Sequence, residues 1–270
     1  MEAASSFFES RSRGWNVNSL MNFSHLNSRV QLHLRKVSMS MSLSLSANLN
    51  VWFGSLVYTT LCLSLLVASL GVYAHMLVNL GGFLTSMAFI GCVMWLMSVP
   101  SYEEGKRWKI LMGASFLEGL SIGPLIDLCN NLFPDSGLVL TAFLGTIAIF
   151  ASFSGAALFA KRREYLFLGG ILSSAVSAML TLRFCSYFFG GASAMFNLEL
   201  YGGLLVFVGY VLFDTQLIIE RADKGDDDYI QHTLDLFMDF VSIFVRILVI
   251  LTKNAGEKSR KEESRRKRSQ

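Results

Sequence analysis

An all-α, polytopic membrane helix bundle is the architecture this sequence predicts, with six spanning helices and a seventh that is central or re-entrant. Three observations carry that prediction. Of 270 residues, 53% are hydrophobic and only 16% are charged, whereas a soluble domain carries about 25% charged residues. The apolar residues arrive in long blocks near the roughly 20 residues that a bilayer core requires. Lys and Arg are concentrated in alternate links between those blocks, as topology-setting charges are.

The blocks fall at about 54–74, 80–99, 110–129, 138–160, 165–189 and 198–219, each close to a spanning length. A seventh, 233–252, is apolar but contains Asp235, Asp239 and Arg246. Short links predict antiparallel neighbours packed side by side. Small residues at Gly113–Ala114, Ser152–Ala157 and Ser173–Ala178 permit close helix approach. The chain divides into a cytosolic N-terminal segment (1–50), the bundle (51–252) and a basic tail (253–270). Residues 38–49, SMSMSLSLSANL, form a low-complexity stretch before the first helix. Residues 1–36 are polar and hold no apolar core of the kind a cleavable signal has.

Links 100–109, 161–164 and 220–232 carry Lys and Arg, while 75–79, 130–137 and 190–197 carry none. The first set is therefore expected in the cytosol, together with Arg11, Arg13, Arg29, Arg35 and Lys36. The tail holds eight basic residues against three acids. Its charge predicts a cytosolic tail as well, with the seventh block re-entrant or centrally buried.

Charged side chains inside such blocks are costly and are candidate functional residues. Asp214 and Asp239 flank one short link at equal depth, each roughly 9–10 Å into the membrane at the helical rise. That spacing predicts a carboxylate pair near the cytosolic face, a plausible proton sensor and cation site. The alternative is that each Asp separately bonds a neighbouring helix. Arg246 shares a helix face with Asp235, Asp239 and Ser242. It reads equally well as a structural ion-pair partner or as part of the sensor. Glu118 opens the run Glu-Gly-Leu-Ser-Ile-Gly-Pro, where Gly and Pro free backbone carbonyls, so it suits either an ion pathway or a structural hydrogen bond. Arg183 reads as a snorkelling anchor. In the tail, Lys258, Arg260, Lys261, Arg265, Arg266, Lys267 and Arg268 form a surface for acidic partners or anionic headgroups, or simply a solvated end that fixes topology.

An enzyme is not expected. The Gly-x-Gly-Asp signature of aspartyl intramembrane proteases is absent, since Asp214 follows Val-Leu-Phe. Ser152-Phe153-Ser154-Gly155 lacks the first glycine of the rhomboid box, and no His lies in a block to serve as its base. Cys62, Cys92, Cys129 and Cys185 lack metal-ligand spacing and read as small buried hydrophobes. No metal site, cofactor or nucleic-acid partner is expected.

Several runs, in one order from about residue 57 to 254, resemble the Bax inhibitor-1 family of membrane proteins, and its plant members most closely. They include Leu117-Glu118-Gly119 with Gly123-Pro124-Leu125, and Arg162-Arg163-Glu164-Tyr165-Leu166. The strongest are Asp214-Thr215-Gln216, Gly225-Asp226 with Asp228-Tyr229, and Asp239-Phe240-Val241 with Phe244-Val245-Arg246. The resemblance implies an endoplasmic reticulum protein that suppresses programmed cell death. It also implies a pH-sensitive calcium leak controlled by Asp214 and Asp239, and calmodulin binding through the basic tail. A non-conducting adaptor acting through protein partners is the alternative. Two departures stand out. About 38–56 separates the basic run from the first helix, and residues 80–99 lack the Arg that bacterial members carry there.

Overall fold

The computed structural model describes residues 28–134, 136–160, 164–189, 192–226 and 228–269. Arg11, Arg13, Lys161, Arg162 and Arg163 lie outside the described residues. The described residues form helices α1 (Ser28–Val78), α2 (Phe83–Ser98), α3 (Glu104–Leu132), α4 (Leu138–Phe159), α5 (Leu168–Phe189), α6 (Ala192–Asp223) and α7 (Tyr229–Ser269), with no strand among them. The chain separates into two compact units, Met1–Leu49 and Asn50–Gln270. In the first, the alternating Ser/Met/Leu stretch 38–49 is helical and belongs to α1. The bundle occupies the second.

Five helices contain stretches long and apolar enough to cross a membrane: Trp52–Val78, Glu104–Leu132, Leu138–Phe159, Leu168–Ser186 and Ala194–Asp223. The second apolar block yields only the 16-residue α2. It is shortened by the turn at 79–82, where Asn79 has φ 54°.

The seventh block is the centre of the bundle. α7 packs against α3, α4 and α6. Leu236, Phe237, Ile243 and Leu248 are fully buried on it, although they point in different directions round the helix. α5 is peripheral, and Leu180, Phe184 and Phe188 stand exposed on it. In lipid that exposure costs nothing, because hydrocarbon is the solvent for those side chains.

Of the two forms expected for the seventh block, the structure has the central one. α7 is a single 41-residue helix that does not turn back. It runs antiparallel to α6: Arg246 lies against Gly203, and the Lys253 Nζ donates to Asn197 Oδ1 at 2.7 Å. Thr252 reaches Cys129, and Gly256 approaches Phe133. The tail thus leaves the bundle beside links 130–137 and 190–197, at the end opposite link 224–228. Charge alone placed the tail with the basic links; the length and continuity of α7 separate them.

Close helix approach is concentrated where α1 meets α3. A Cβ on Gly119 would lie 1.9 Å from the Ala68 carbonyl oxygen, and one on Gly71 would lie 2.3 Å from that of Phe116. At the far end of α1, buried His75 accepts a hydrogen bond at Nδ1 from the Gly81 N–H (2.7 Å), while its Nε2 lies 3.2 Å from Asp127 Oδ2. Pro124 lacks the N–H that would bond the Leu120 carbonyl. Gly81 packs onto that oxygen, where a Cβ would come within 2.1 Å.

Gly119→Ala is expected to lower thermal stability in detergent by roughly 1–3 kcal/mol, the usual cost of overpacking. Gly113→Ala, where a Cβ meets nothing within 4 Å, should be neutral or mildly stabilising. Equal stability of the two variants would contradict the α1–α3 packing. The path of α7 is tested by a membrane-impermeant thiol reagent on sealed vesicles. With native cysteines replaced, Lys224→Cys and Arg265→Cys should react from opposite faces. Reaction of both from one face would show that α7 turns back.

Candidate functional site

Charged groups on α6 and α7 sit at matching levels because the two helices run antiparallel from one short link. Asp214 and Asp239 face each other across the helix pair, with their carboxyl groups close enough to interact directly. Two carboxylates are both acceptors, so a hydrogen bond between them would require one shared proton. Asp239 is buried, and its Oδ2 has no hydrogen-bond partner among the described residues. Asp235, one turn before Asp239, and Tyr210, one turn before Asp214, lie within electrostatic reach of the pair.

Hydroxyl groups from three helices surround this level. The Thr215 Oγ1 lies 3.2 Å from the Tyr58 hydroxyl of α1 and 3.3 Å from Ser154 Oγ of α4. Gln216 Oε1 accepts a hydrogen bond from the Tyr165 N–H at 2.7 Å, fixing the start of α5. The Thr233 hydroxyl donates to the Tyr229 carbonyl at 2.8 Å, and the Val57 carbonyl lies 3.4 Å away. The carboxyl pair therefore lies where α1, α4, α6 and α7 converge.

The structure does not bring the other two candidates to the pair. Arg246 lies seven residues along α7, about 10 Å at the helical rise. Its guanidinium stacks on Phe207 (4.3 Å to the ring centroid) and its Nη1 donates to the Ser242 carbonyl at 2.9 Å. Gly203 makes room for it, since a Cβ there would lie 2.6 Å from Nε. Glu118 is half-buried on α3 and has no hydrogen-bond or ion partner among the described residues. Arg183 pairs with Glu199 at 2.6 Å and is largely exposed. The seven basic tail residues 258–268 are exposed on the last turns of α7.

Two interactions at the link end of the bundle escaped sequence reasoning. Buried Arg107 on α3 binds Asp228 at 2.5 Å. Asp228 also caps α7, accepting the Gln231 N–H at 3.1 Å. The order Asp-Tyr-Ile-Gln carries the N-cap signal; nothing in the sequence named Arg107 as its partner. His232, in the first turn of α7, packs edge-on against Phe53, and its buried Nε2 has no hydrogen-bond partner among the described residues.

All four cysteines are free thiols. Among the described residues, no three His, Cys, Asp or Glu side chains are grouped to hold a metal ion.

These features define a multi-pass membrane helix bundle with a carboxyl pair between its central helix and α6. Residues 51–256 match the family model described as "Inhibitor of apoptosis-promoting Bax1". The chain is 46% identical over 268 residues to Bax inhibitor 1 of Arabidopsis thaliana, covering 98% of this chain and 100% of that one. It is 46% identical over 267 residues to Bax inhibitor 1 of Oryza sativa subsp. japonica, covering 99% and 98%. Against Bax inhibitor 1 of Homo sapiens it is 41% identical over 254 residues, covering 93% and 97%. The chain belongs to the Bax inhibitor-1 family.

Proposed function

We propose that this protein suppresses programmed cell death from the endoplasmic reticulum membrane by acting as a pH-sensitive calcium leak, without enzymatic activity. The close approach of Asp214 and Asp239 across α6 and α7 carries the reading. With a proton between them, the two carboxyls bridge α6 and α7. Without it, two like charges face each other and repel, unless a cation takes the proton's place. Calcium is cargo in this scheme, held by exchange with the proton. The unpartnered Oδ2 of Asp239 supplies an acceptor for it. Arg246 and Glu118 stand outside this control point: Arg246 braces α7 against Phe207 of α6, and Glu118 remains a solitary carboxyl along α3. The basic links face the cytosol in this reading, which directs the tail toward the opposite leaflet.

A second reading, a non-conducting adaptor, draws on the exposed tail helix. In this second reading the tail, and not the basic links, faces the cytosol, and its seven Lys and Arg side chains between 258 and 268 offer a surface to acidic partners, calmodulin among them.

Calcium flux in liposomes of purified protein separates the two. Asp214→Asn and Asp239→Asn each remove one titrating group while nearly keeping shape. Each should flatten the pH profile of the flux. Flux with an unchanged pH profile in both variants would remove the sensor, and no flux from the unaltered protein would leave the adaptor.

A further inference from the structure

A cavity of about 510 Å³ lies among α1, α3, α4 and α7, beyond the carboxyl pair toward links 75–79 and 130–137. That volume falls within the ~300–1,000 Å³ of small-molecule sites. Its floor is apolar and buried: Ile126 of α3 and Phe240 and Val241 of α7 are each less than 9% exposed. Its mouth lies between α1 and α4, where Leu140 is 62% exposed and Phe143 is 39% exposed. No charged side chain lines it, and its one hydroxyl, on Ser69, is turned to its own helix at the Leu66 carbonyl. Such a lining is unsuited to water or a metal ion. At one end the lining is the polar Asn130, in the last turn of α3, and Gly137 of the link between α3 and α4.

Three facts together name an occupant. The mouth opens between two spanning helices, so the medium outside it is hydrocarbon. An apolar cavity left empty forfeits dispersion contacts along its whole wall. The single polar end lies where the helices leave the membrane, at headgroup level. We infer that this cavity holds one acyl chain of a bilayer phospholipid, with its headgroup at the Asn130–Gly137 end. The seat is in contact with the central helix: Phe143 packs edge-on against Phe240 and Phe244 at ring-centroid distances of 5.9 and 6.3 Å. Phe240 directly follows Asp239. An inserted chain therefore presses on the segment that carries Asp239. The site itself does not depend on any calcium flux.

The test uses the full-length protein in vesicles of phosphatidylcholine bearing a diazirine on one acyl chain, with photo-adducts mapped by peptide mass spectrometry. Adducts are expected on Ile126, Phe240 and Val241, which lipid merely surrounding the bundle cannot touch. Val139→Trp places an indole inside the cavity. It should reduce those adducts roughly tenfold, while adducts on the outward-facing Leu66 remain. Should that variant not fold, Leu65→Phe fills the same space from α1 and carries the same expectation. Adducts confined to exterior residues, or interior adducts unaffected by filling, would overturn the proposal. Labelling by a diazirine fatty acid but not by the phospholipid would overturn the phospholipid as source. Inter-chain cross-links that cover Leu140 and exclude label from the interior would show a second copy there instead.

Discussion

Asp239 sits on a helix that hydrocarbon could not solvate, and its one route to stability is through the helices around it. An unpaired carboxylate in lipid is expensive. In the proposed account a hydrogen bond to Asp214 removes that cost with a single proton and ties α7 to α6 at the same point. Once that contact is made, much of the arrangement follows. α7 must be enclosed, so α3, α4 and α6 pack against it. The enclosing helices then present their own polar groups at that level, and Tyr58, Ser154 and Thr215 meet there. Helices that do not enclose α7, such as α5, are left to face lipid.

The rest of α7 obeys the same constraint by different means. Arg246 has an aromatic face, a carbonyl and a glycine-sized recess in place of a carboxylate at salt-bridge distance. Lys253 escapes along Tyr201 to Asn197 at the end of the bundle. The first turn is held by Asp228, which accepts from the helix N-terminus and from Arg107 at once. Asp239, Arg246 and Lys253 thus each meet α6 at a different level, while the cap at Asp228 is held by Arg107 of α3. Such a helix is fixed in depth as well as in position.

The helical class and the central place of α7 were legible because they depend on block length and on charges within one segment. The Asp214–Asp239 contact was legible for a related reason: one short link sets both depths. Arg246 was not, because a polar stripe on one helix does not say which neighbour it faces; Phe207 and Gly203 on α6 decided that. His75, assigned to a link by its position, is a buried clasp between Gly81 and Asp127, and Arg107, counted as a topology charge, is a buried partner of Asp228. Both depend on residues far away in the chain. Charge asymmetry ranks faces of the membrane without knowing that α7 runs uninterrupted from Tyr229 to Ser269.

The central claim is that one proton joins Asp214 to Asp239 inside the folded bundle. Infrared difference spectroscopy of the protein in nanodiscs reads it directly, because a protonated carboxyl has a C=O stretch that a carboxylate lacks and that shifts on deuterium exchange. The account predicts such a band in the unaltered protein at neutral pH, altered or lost in both Asp214→Asn and Asp239→Asn. A spectrum without the band, or one in which neither substitution changes it, would show that the two groups share no proton.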